Sequence, residues 1–411
     1  MVDKTRTFAF LEKIAFNRPS GTPDERKAAE IIAEEIRAFG FEPTFEPFTF
    51  DDAETTGTLT VLEPYEKTYA VRPFAHCAST DPEGVTCPFV YADSIEDWNR
   101  DQLKGALCIF GTHCELEQVI KAGVAGFLCI SEGKAVTRPE DIDFYRPDIR
   151  KKQDRDQIPA LAITGPDAFD LVEKGAKKVR FTVTNRSYSA ESQNVCVTIP
   201  GTASPDRVIV IGAHYDSVPF GCGASDNAGG SATIMELFRH FAQNPPQKTI
   251  RFVWFGAEEV GLFGSKAYVK AHADELDSID IMINCDVGGA AMGRNFVRGT
   301  CDESVAQYLK FLAAEVGYPG DIKKGCMGSD SSTFAFSKVP AVGFGRGEAE
   351  CIAFAHSRND IVRFLSPDRL AETTAFVLLF AEKMDKIRSI PFPREIPEDV
   401  MKRCTDIVGE L

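Results

Sequence analysis

The second half of the chain alternates between short apolar runs and segments with helical spacing. From about residue 190 the runs are rich in β-branched residues, as in NVCVTIPG, RVIVIGA, TIRFVWFGA and IDIMINC, and this composition is typical of strands that are buried on both faces. The segments between and after them repeat apolar residues every three or four positions, as in ATIMELFRHFAQ, GSKAYVKAHADEL, ESVAQYLKFLAAEVG and ETTAFVLLFAEKM. This alternation predicts a mixed, mostly parallel sheet that is sandwiched by helices.

The N-terminal region predicts two helices. The first is expected over roughly residues 3–16. The second has clearer boundaries, because Thr22 can cap it, Pro23 suits the first helical position, and Glu25 completes a capping box. Gly40 is placed to end this second helix.

A different texture marks the region between about residues 53 and 190. After an edge strand expected over 41–50, short strand-like runs such as GALCIFG, AGFLCIS and KVRFTV lie between a few short helices. We therefore expect an α/β protein with a discontinuous main domain, residues 1–52 and 190–411. A smaller, β-rich α/β domain would be inserted over 53–189.

Length and charge narrow the class of protein. A chain of 411 residues is longer than one ordinary domain. The net charge of −15 argues against a nucleic-acid partner, because neutralising phosphates requires clustered Lys and Arg. No stretch of the chain reaches the ~18 consecutive apolar residues that a membrane helix needs, so no membrane association is expected.

The N-terminus and the cysteines bear on the cellular compartment. The opening MVDKTRTFAFLEKIAF has scattered charges and lacks the apolar stretch of a secretory signal. The 12 cysteines are dispersed and form no C-x-x-C pair, which disfavours thiolate zinc modules and redox motifs. We expect a cytoplasmic protein with mostly free thiols, although an exported protein without its leader would share these features.

Each predicted strand of the second half is followed by a carboxylate or an imidazole. In chain order these residues are His214, Asp216, Asp226, Glu258, Glu259, Asp286 and His356. Ligands of doubly wound sheets bind beyond the carboxyl ends of the strands. We therefore expect these side chains to converge on one side of the sheet.

Converging carboxylates repel one another and lose hydration, so they need positive charge nearby to stay ionised. The motifs up to Asp286 contain no Lys or Arg, and a divalent cation would supply that charge. Two imidazoles with several carboxylates and no thiolate suit zinc, with cobalt or manganese as alternatives. Five ligands would crowd one ion, whereas two ions ~3.5–4 Å apart that share a carboxylate form a known hydrolytic device.

Two local spacings suggest further roles. On extended backbone the side chains of His214 and Asp216 point the same way, so Asp216 can accept the second imidazole N–H and orient the ring. Glu258 and Glu259 are adjacent and cannot both bind the same ion, so we expect one to be a ligand and the other the general base. The remaining histidines are interpreted as packing or surface residues: His76, His113, His240 and His272.

Taken together, these motifs resemble the di-zinc aminopeptidase family, which also contains glutamate carboxypeptidase and, more distantly, glutaminyl cyclases. The resembling segments are GAHYDS (212–217), GASDNAGGSA (223–232), FGAEEVGLFGS (255–265), NCDVGG (284–289), GSDSSTF (328–334) and HSRND (356–360). The N-terminal RPSGTPDERKAAEIIAEEIRAFGFE is similar to the family's first helix and strand. The middle region, with LKGALCIFG and IKAGVAGFLCIS, resembles the protease-associated domain that some members carry as an insertion.

The resemblance implies a zinc exopeptidase fold, two zinc ions per chain, and a role for each ligand. Asp226 would bridge the ions and Glu258 would be the general base. The ligands that complete the two sites would be His214 with Asp286 and Glu259 with His356. The peptide bond after the bridging Asp is often cis in this family, so Asp226–Asn227 is a candidate for that geometry.

The substrate residues depart from the family pattern. Many members carry a Tyr immediately before the last His, where it is thought to hold the oxyanion, but this chain has Ala355. Ser331 stands where a His is common, and Asp330 before it is a candidate for substrate recognition. The loop GRGEAECIAFA (345–355) is expected to line the substrate pocket.

An aminopeptidase is the leading hypothesis, with a peptide as substrate and acidic groups holding its free N-terminus. A glutamate-type carboxypeptidase or dipeptidase is the alternative, and it would need arginines such as Arg294, Arg298 or Arg346 to clamp a C-terminal carboxylate. A glutaminyl cyclase is disfavoured, because those enzymes generally work with one zinc. A non-catalytic binding protein is disfavoured because every ligand and the base are present. A homodimer is one option for assembly.

Overall fold

The computed structural model describes residues 2–96, 99–111, 114–130, 149, 156–219, 221–349, 355–409 and 411. His113 and residues 350–354 of the expected pocket loop therefore lie outside the described residues. The chain divides into two compact units. The first unit contains residues 1–50 and 191–411, and the second contains residues 51–190.

The helices are α1 (Lys4–Ile14), α2 (Pro23–Arg37), α3 (Arg100–Leu103), α4 (Leu116–Lys121), α5 (Gly165–Glu173), α6 (Gly230–Gln243), α7 (Phe263–Ala271), α8 (Glu303–Val316), α9 (Asp330–Phe336), α10 (Pro367–Lys386) and α11 (Glu398–Val408). The strands are β1 (Thr44–Glu63), β2 (Lys67–Tyr69), β3 (Val71–Pro73), β4 (Val85–Ala92), β5 (Leu107–Phe110), β6 (Gly126–Ile130), β7 (Ala160–Ile163), β8 (Lys178–Ile199), β9 (Ser204–His214), β10 (Lys248–Phe255), β11 (Ile279–Cys285), β12 (Gly293–Gly299), β13 (Asp321–Lys324) and β14 (Ala341–Glu348).

The sheet of the first unit has the order β13-β12-β14-β11-β9-β10-β8. Its central strands β14, β11, β9 and β10 are mutually parallel. Antiparallel pairs occur at β12 with β14 and at β10 with the end of β8. This arrangement confirms the predicted mixed, mostly parallel sheet.

Helices cover both faces of this sheet, and strand β9 shows how. Val208 and Val210 belong to a buried cluster with residues of α7 and α9. Ile209 and Ile211, which alternate with them, belong to a second cluster with residues of α1, α2, α6 and α10. Successive side chains of a strand point to opposite faces, so a continuous apolar run is required where both faces are buried.

The start of α2 departs from the prediction in one respect. Thr22 caps the helix as expected, because its side chain accepts a hydrogen bond from the Glu25 amide at 3.3 Å. The reciprocal half of the predicted capping box is wrong. The Glu25 carboxylate accepts from the amide of Gly21 at 2.7 Å rather than from Thr22, because Glu25 turns inward to partners elsewhere in the unit.

The second unit has its own sheet and core. Within it, the order is β8-β4-β5-β6-β7-β3, with parallel pairing from β4 to β7. Leu107, Leu161 and Phe181 belong to a fully buried cluster that this sheet shares with Leu171 of α5. The unit is therefore an α/β layer structure with a hydrophobic core of its own.

Two further features concern the described residues only. The helices among them are all too short or too polar to cross a membrane. Nine cysteines among them are free thiols: Cys77, Cys87, Cys108, Cys196, Cys222, Cys285, Cys301, Cys326 and Cys404.

A buried ion pair in the first unit provides a test of this packing. Arg239 on α6 is nearly inaccessible and its guanidinium lies 2.6 Å from the Glu35 carboxylate of α2 and 3.5 Å from Glu236. Removing one partner of a buried pair leaves an uncompensated charge, so we expect Arg239→Ala to lower the free energy of unfolding by about 3 kcal/mol. Urea denaturation followed by circular dichroism would measure this loss.

The matched control is Lys13→Ala, which removes an exposed partner of the same Glu35 at 2.5 Å. Exposed ion pairs contribute little, and we expect a loss of less than about 1 kcal/mol. If the two variants lost the same free energy of unfolding, the buried pair of Glu35 with Arg239 would contribute no more to stability than its exposed pair with Lys13.

Candidate metal centre

The carboxyl edge of the first unit's sheet gathers the residues that were selected from the sequence. His214 ends β9, and Glu258 and Glu259 follow β10 by a few residues. Asp286 follows β11 directly, and Asp226 lies in the irregular turn Ala224–Gly229 that leads into α6. Parallel strands end at one edge of the sheet, which is why residues far apart in sequence meet here.

The first cluster forms around His214, whose side chain is fully buried. Its Nε2 atom lies 3.1 Å from Asp226 Oδ1, 3.3 Å from Asp286 Oδ1 and 3.9 Å from Glu258 Oε2. The ligand atoms of His214, Glu258 and Asp286 all lie within 4.8 Å of one another. Such a group of donors is compact enough to surround one ion.

The second cluster forms around His356. Its Nε2 atom lies 3.1 Å from Asp226 Oδ2 and 3.1 Å from Glu259 Oε2. The His356 side chain is 60% exposed, whereas those of Asp226 and Glu259 are buried. Asp226 thus directs one carboxylate oxygen to each histidine, which is the geometry of a group shared between two centres.

Asp216 connects the two clusters through the backbone of Glu258 and Glu259. Its Oδ1 accepts a hydrogen bond from the Glu258 amide at 3.1 Å, and its Oδ2 accepts from the Glu259 amide at 3.2 Å. Oδ1 also lies 3.4 Å from Nδ1 of His214, without a hydrogen bond of good geometry. Asp216 therefore holds the backbone of both glutamates, a role that the spacing to His214 did not predict.

The turn that carries Asp226 is fixed to the end of β11. The Asp226–Asn227 peptide bond is cis, as the resemblance implied. The Asn227 side chain donates to the Cys285 carbonyl at 2.9 Å and accepts from the Gly230 amide at 2.8 Å. A Cβ atom at Gly229 would lie 2.7 Å from the Gly288 carbonyl oxygen, so this close approach of the turn to the loop after β11 requires glycine.

Sequence reasoning missed Asp360. Its carboxylate accepts hydrogen bonds from the amides of Ser225 at 2.7 Å and Asp226 at 3.0 Å. It lies four residues after His356, so one short loop supplies both a contact to the Asp226 side chain and a clamp on its backbone. The HSRND motif contains Asp360, but its spacing alone does not indicate that the carboxylate reaches the turn.

The electrostatics of the cluster are dominated by burial. Burial raises the pKa of Glu258 well above its usual range, and the neighbouring Asp286 and Glu259 charges act in the same direction. Burial also raises the pKa of Glu259. For Asp226, burial opposes ionisation, but hydrogen bonds with His214 and His356 hold its pKa below the usual value.

The predicted substrate residues lie in different surroundings. Asp330 begins α9 and is completely buried, with neither carboxylate oxygen hydrogen-bonded, and burial raises its pKa to about 7. Arg298 on β12 pairs with Asp321 of the edge strand at 2.7 Å. Arg346 is buried and donates to the Ala290 carbonyl at 2.7 Å and to Asn295 Oδ1 at 2.9 Å. Their use in substrate binding stays a prediction.

Asp360→Asn tests the clamp on the turn. The substitution replaces one accepting oxygen with an amide donor that faces backbone N–H groups, so we expect the turn to lose its position. Supporting residues of this kind typically change metal affinity by about 10- to 100-fold, and we expect a fall in zinc affinity of that size. Competition with a chromogenic chelator would measure it.

The exposed Asn359→Ala variant in the same loop is the control, and its zinc affinity should match that of the unmodified protein. A zinc affinity of Asp360→Asn within two-fold of the control would show that the clamp does not matter for the centre.

Comparison with known proteins places the chain in context. Aminopeptidase YwaD of Bacillus subtilis (strain 168) is 25% identical over an alignment of 423 positions, gaps included, that covers 98% of this chain and 89% of that protein. Carboxypeptidase Q of Bos taurus is 23% identical over 380 residues, 86% of this chain and 79% of that protein. The chain spans about half the length of other curated aminopeptidases that it matches.

Solved structures show the same fold. The structure of BSAP, a zinc aminopeptidase from Bacillus subtilis, covers 97% of this chain and 99% of its own, with a TM-score of 0.76 and 23% identity. The model of peptidase family M28 matches residues 194–381, the segment that carries every residue of the two clusters described above. Over that segment the chain is similar to peptidase family M28.

Proposed function

We propose that this chain is a zinc-dependent aminopeptidase that removes N-terminal residues from peptides by means of two zinc ions. The observation that carries the proposal is the position of Asp226, which directs one carboxylate oxygen to His214 and the other to His356 at 3.1 Å each. A carboxylate that faces two imidazoles on opposite sides is suited to hold two ions close together.

The residues present fit a pair of zinc ions. The donors are imidazole nitrogens and carboxylate oxygens without thiolates, a set that suits zinc in hydrolytic sites. Oε1 of Glu259 is buried and has no hydrogen-bond partner. A buried carboxylate oxygen without a partner is costly, and a cation bound there would satisfy it.

We assign the ligands as the family resemblance implies. Asp226 is shared, and the pairs that complete the two sites are His214 with Asp286 and Glu259 with His356. The distances of 3.3 Å within the first pair and 3.1 Å within the second support this division. Asp216 is assigned to orienting His214 and holding the glutamates. Cobalt or manganese are alternatives to zinc with the same ligands.

Bound zinc would polarise the scissile carbonyl and lower the pKa of a water molecule at the centre. Glu258 is placed to take the proton from that water and pass it to the leaving amine. Its position beside His214 and its raised pKa support the assignment, because a general base works best when its pKa is near the working pH. Asp216 fixes the Glu258 backbone and so limits where that carboxylate can reach.

The carboxypeptidase alternative depends on an arginine that is free to bind a C-terminal carboxylate. Arg298 is engaged by Asp321, and Arg346 by a carbonyl and by Asn295. Arg294 is exposed on β12 and is the remaining candidate of the three. The acidic cluster is already suited to a free N-terminal ammonium, and this favours the aminopeptidase.

Four further points belong to the proposal. The second unit is assigned as a protease-associated-like domain on the resemblance of its strand runs. The location is proposed to be cytoplasmic, as predicted from the sequence. The proposed substrate is a peptide of undefined length. A homodimer remains one option for assembly.

Glu258→Gln tests the base. The amide cannot accept a proton in the same way, so we expect turnover to fall by at least about 10³-fold, within the usual range for loss of a general base. Zinc content should stay at two ions per chain, because Glu258 is not assigned as a ligand. Hydrolysis of an aminoacyl-p-nitroanilide panel and metal analysis by mass spectrometry would measure the two effects. Glu12→Gln, on the exposed face of α1, is the matched control.

The same preparation separates the functions. A free-amine peptide should be cleaved and its N-acetylated form should not, whereas a carboxypeptidase would cleave both. Fewer than two zinc ions in the unmodified protein, together with no cleavage of any free-amine peptide, would contradict the proposal. Full activity of Glu258→Gln would contradict the base assignment alone.

A further inference from the structure

Arg18 is a completely buried arginine in the segment between α1 and α2. Its guanidinium donates hydrogen bonds to four backbone carbonyls. Nη1 donates to Phe16 at 2.9 Å and to Cys222 at 2.5 Å, Nη2 donates to Gly223 at 2.8 Å, and Nε donates to Tyr215. A planar group with five N–H donors is suited to hold several carbonyls in fixed positions at once.

Three of those carbonyls, of Tyr215, Cys222 and Gly223, belong to two chain segments that carry metal ligands. Tyr215 lies between His214 and Asp216, and Gly223 lies three residues before Asp226. Arg18 therefore ties the end of β9 to the start of the turn that presents Asp226. The packing there is tight, because a Cβ atom at Gly223 would lie 2.6 Å from the Asp226 carbonyl oxygen and 3.1 Å from Nη2 of Arg18.

The backbone of the same segment adds two contacts. The Arg18 amide donates to Ser217 Oγ at 3.1 Å, and the Ser217 amide donates to the Arg18 carbonyl at 3.2 Å. Ser20 Oγ donates to Asp216 Oδ2 at 2.7 Å. The bond from Ser20 thus orients the Asp216 carboxylate. That carboxylate in turn holds the backbone amides of Glu258 and Glu259.

Glu25, in the first turn of α2, reaches the third ligand-bearing loop. Its carboxylate accepts from Ser192 Oγ at 2.7 Å and from the Ala257 amide at 3.2 Å. Ala257 has a φ of 51°, in the left-handed region that residues other than glycine rarely adopt. It directly precedes Glu258, so a bond to its amide helps to hold the backbone that places the glutamates.

The charge of Arg18 is also matched to its position. Burial disfavours a charged guanidinium, and the carboxylates of Asp216, Asp360, Glu259 and Asp226 oppose that effect on its pKa. Burying a cation costs several kcal/mol unless nearby charges and hydrogen bonds compensate. Here the cation lies among carboxylates that repel one another, so it reduces their mutual repulsion while the carbonyls satisfy its N–H groups.

We propose that residues 18–25 form a brace that holds three of the five ligand-bearing segments in register, with Arg18 as its principal positioning residue. The brace contacts three segments: the loop after β9, the turn that carries Asp226, and the loop after β10. The brace lies about 200 residues before those loops in sequence, since its partners run from Ser192 to Ala257. The effect on zinc binding rests on the proposed function, whereas the effect on the loops does not.

Arg18→Lys is the test, because lysine keeps the charge but its compact ammonium cannot span four carbonyls. In the metal-free protein we expect amide hydrogen exchange of residues 215–226 to accelerate by at least ten-fold. In the loaded protein we expect zinc affinity to fall by about 10- to 100-fold, as for other groups that support ligands. The visible spectrum of the cobalt-substituted protein should change, and kcat should fall more than KM rises.

Arg239→Lys is the matched control, since Arg239 is also buried in the same unit, but it pairs with Glu35 and Glu236 and lies over the rings of Phe10 and Phe39. It should lose stability while exchange of residues 215–226, zinc affinity and the cobalt spectrum match those of the unmodified protein. Ser20→Ala, which removes one bond to Asp216, serves if Arg18→Lys does not fold, and we expect the same spectral change and a smaller fall in kcat.

The outcomes separate the two proposals. If the unmodified protein binds zinc and either brace variant matches it in exchange, affinity and spectrum, the brace is wrong and the proposed function stands. If the unmodified protein binds no zinc, the proposed function fails, and exchange of residues 215–226 alone decides on the brace. Equal effects of Arg18→Lys and Arg239→Lys would reduce Arg18 to a general stabilising role.

Discussion

The mutual repulsion of buried carboxylates at one edge of the sheet is the constraint on which the centre depends. Asp216, Asp226, Glu258 and Asp286 are all nearly inaccessible and lie around a single imidazole. Burial alone would drive several of them to protonate, as the raised pKa of Glu258 indicates. Imidazoles, backbone amides and one buried guanidinium compensate part of this repulsion, and a pair of divalent cations would compensate the rest. Removing any of these groups would leave more of the repulsion between the carboxylates uncompensated. Residues that touch no ion are therefore expected to affect metal binding.

The parallel sheet explains why the centre could be located from sequence. A strand buried on both faces must be apolar at every position, so the runs that end at His214, Phe255 and Cys285 are visible without any knowledge of the fold. Parallel strands also share one carboxyl edge, so reading the residue that follows each run brings together side chains 140 residues apart, from His214 to His356. Both inferences rest on local periodicity, which the structure preserves.

The supporting residues could not be located in this way, because their roles depend on partners that no local pattern specifies. Arg18 and Ser20 lie in an irregular segment whose contacts with the ligand-bearing segments are about 200 residues away in sequence. Glu25 did carry a local signal, that of a capping box, and the signal was misleading. Its carboxylate bonds Ser192 and Ala257 as well as Gly21, so tertiary partners outweighed the local one. Asp360 shows the same limit, since its carboxylate serves the backbone of a turn 134 residues earlier in the chain.

The arginines near β12 and β14 bear on which end of a peptide the centre would accept. For Arg298 to clamp a C-terminal carboxylate, it would have to give up its bond to Asp321, and Arg346 would have to give up Ala290 and Asn295. A hydrogen bond to a charged group is worth about 1.5–3 kcal/mol, so the exchange would gain little for either residue. A free N-terminal ammonium needs no arginine partner, so neither of these pairings would have to break. These pairings therefore favour recognition of the amino end, and with Ala355 in place of a Tyr beside His356 the oxyanion would be left to the metal ions or to another residue.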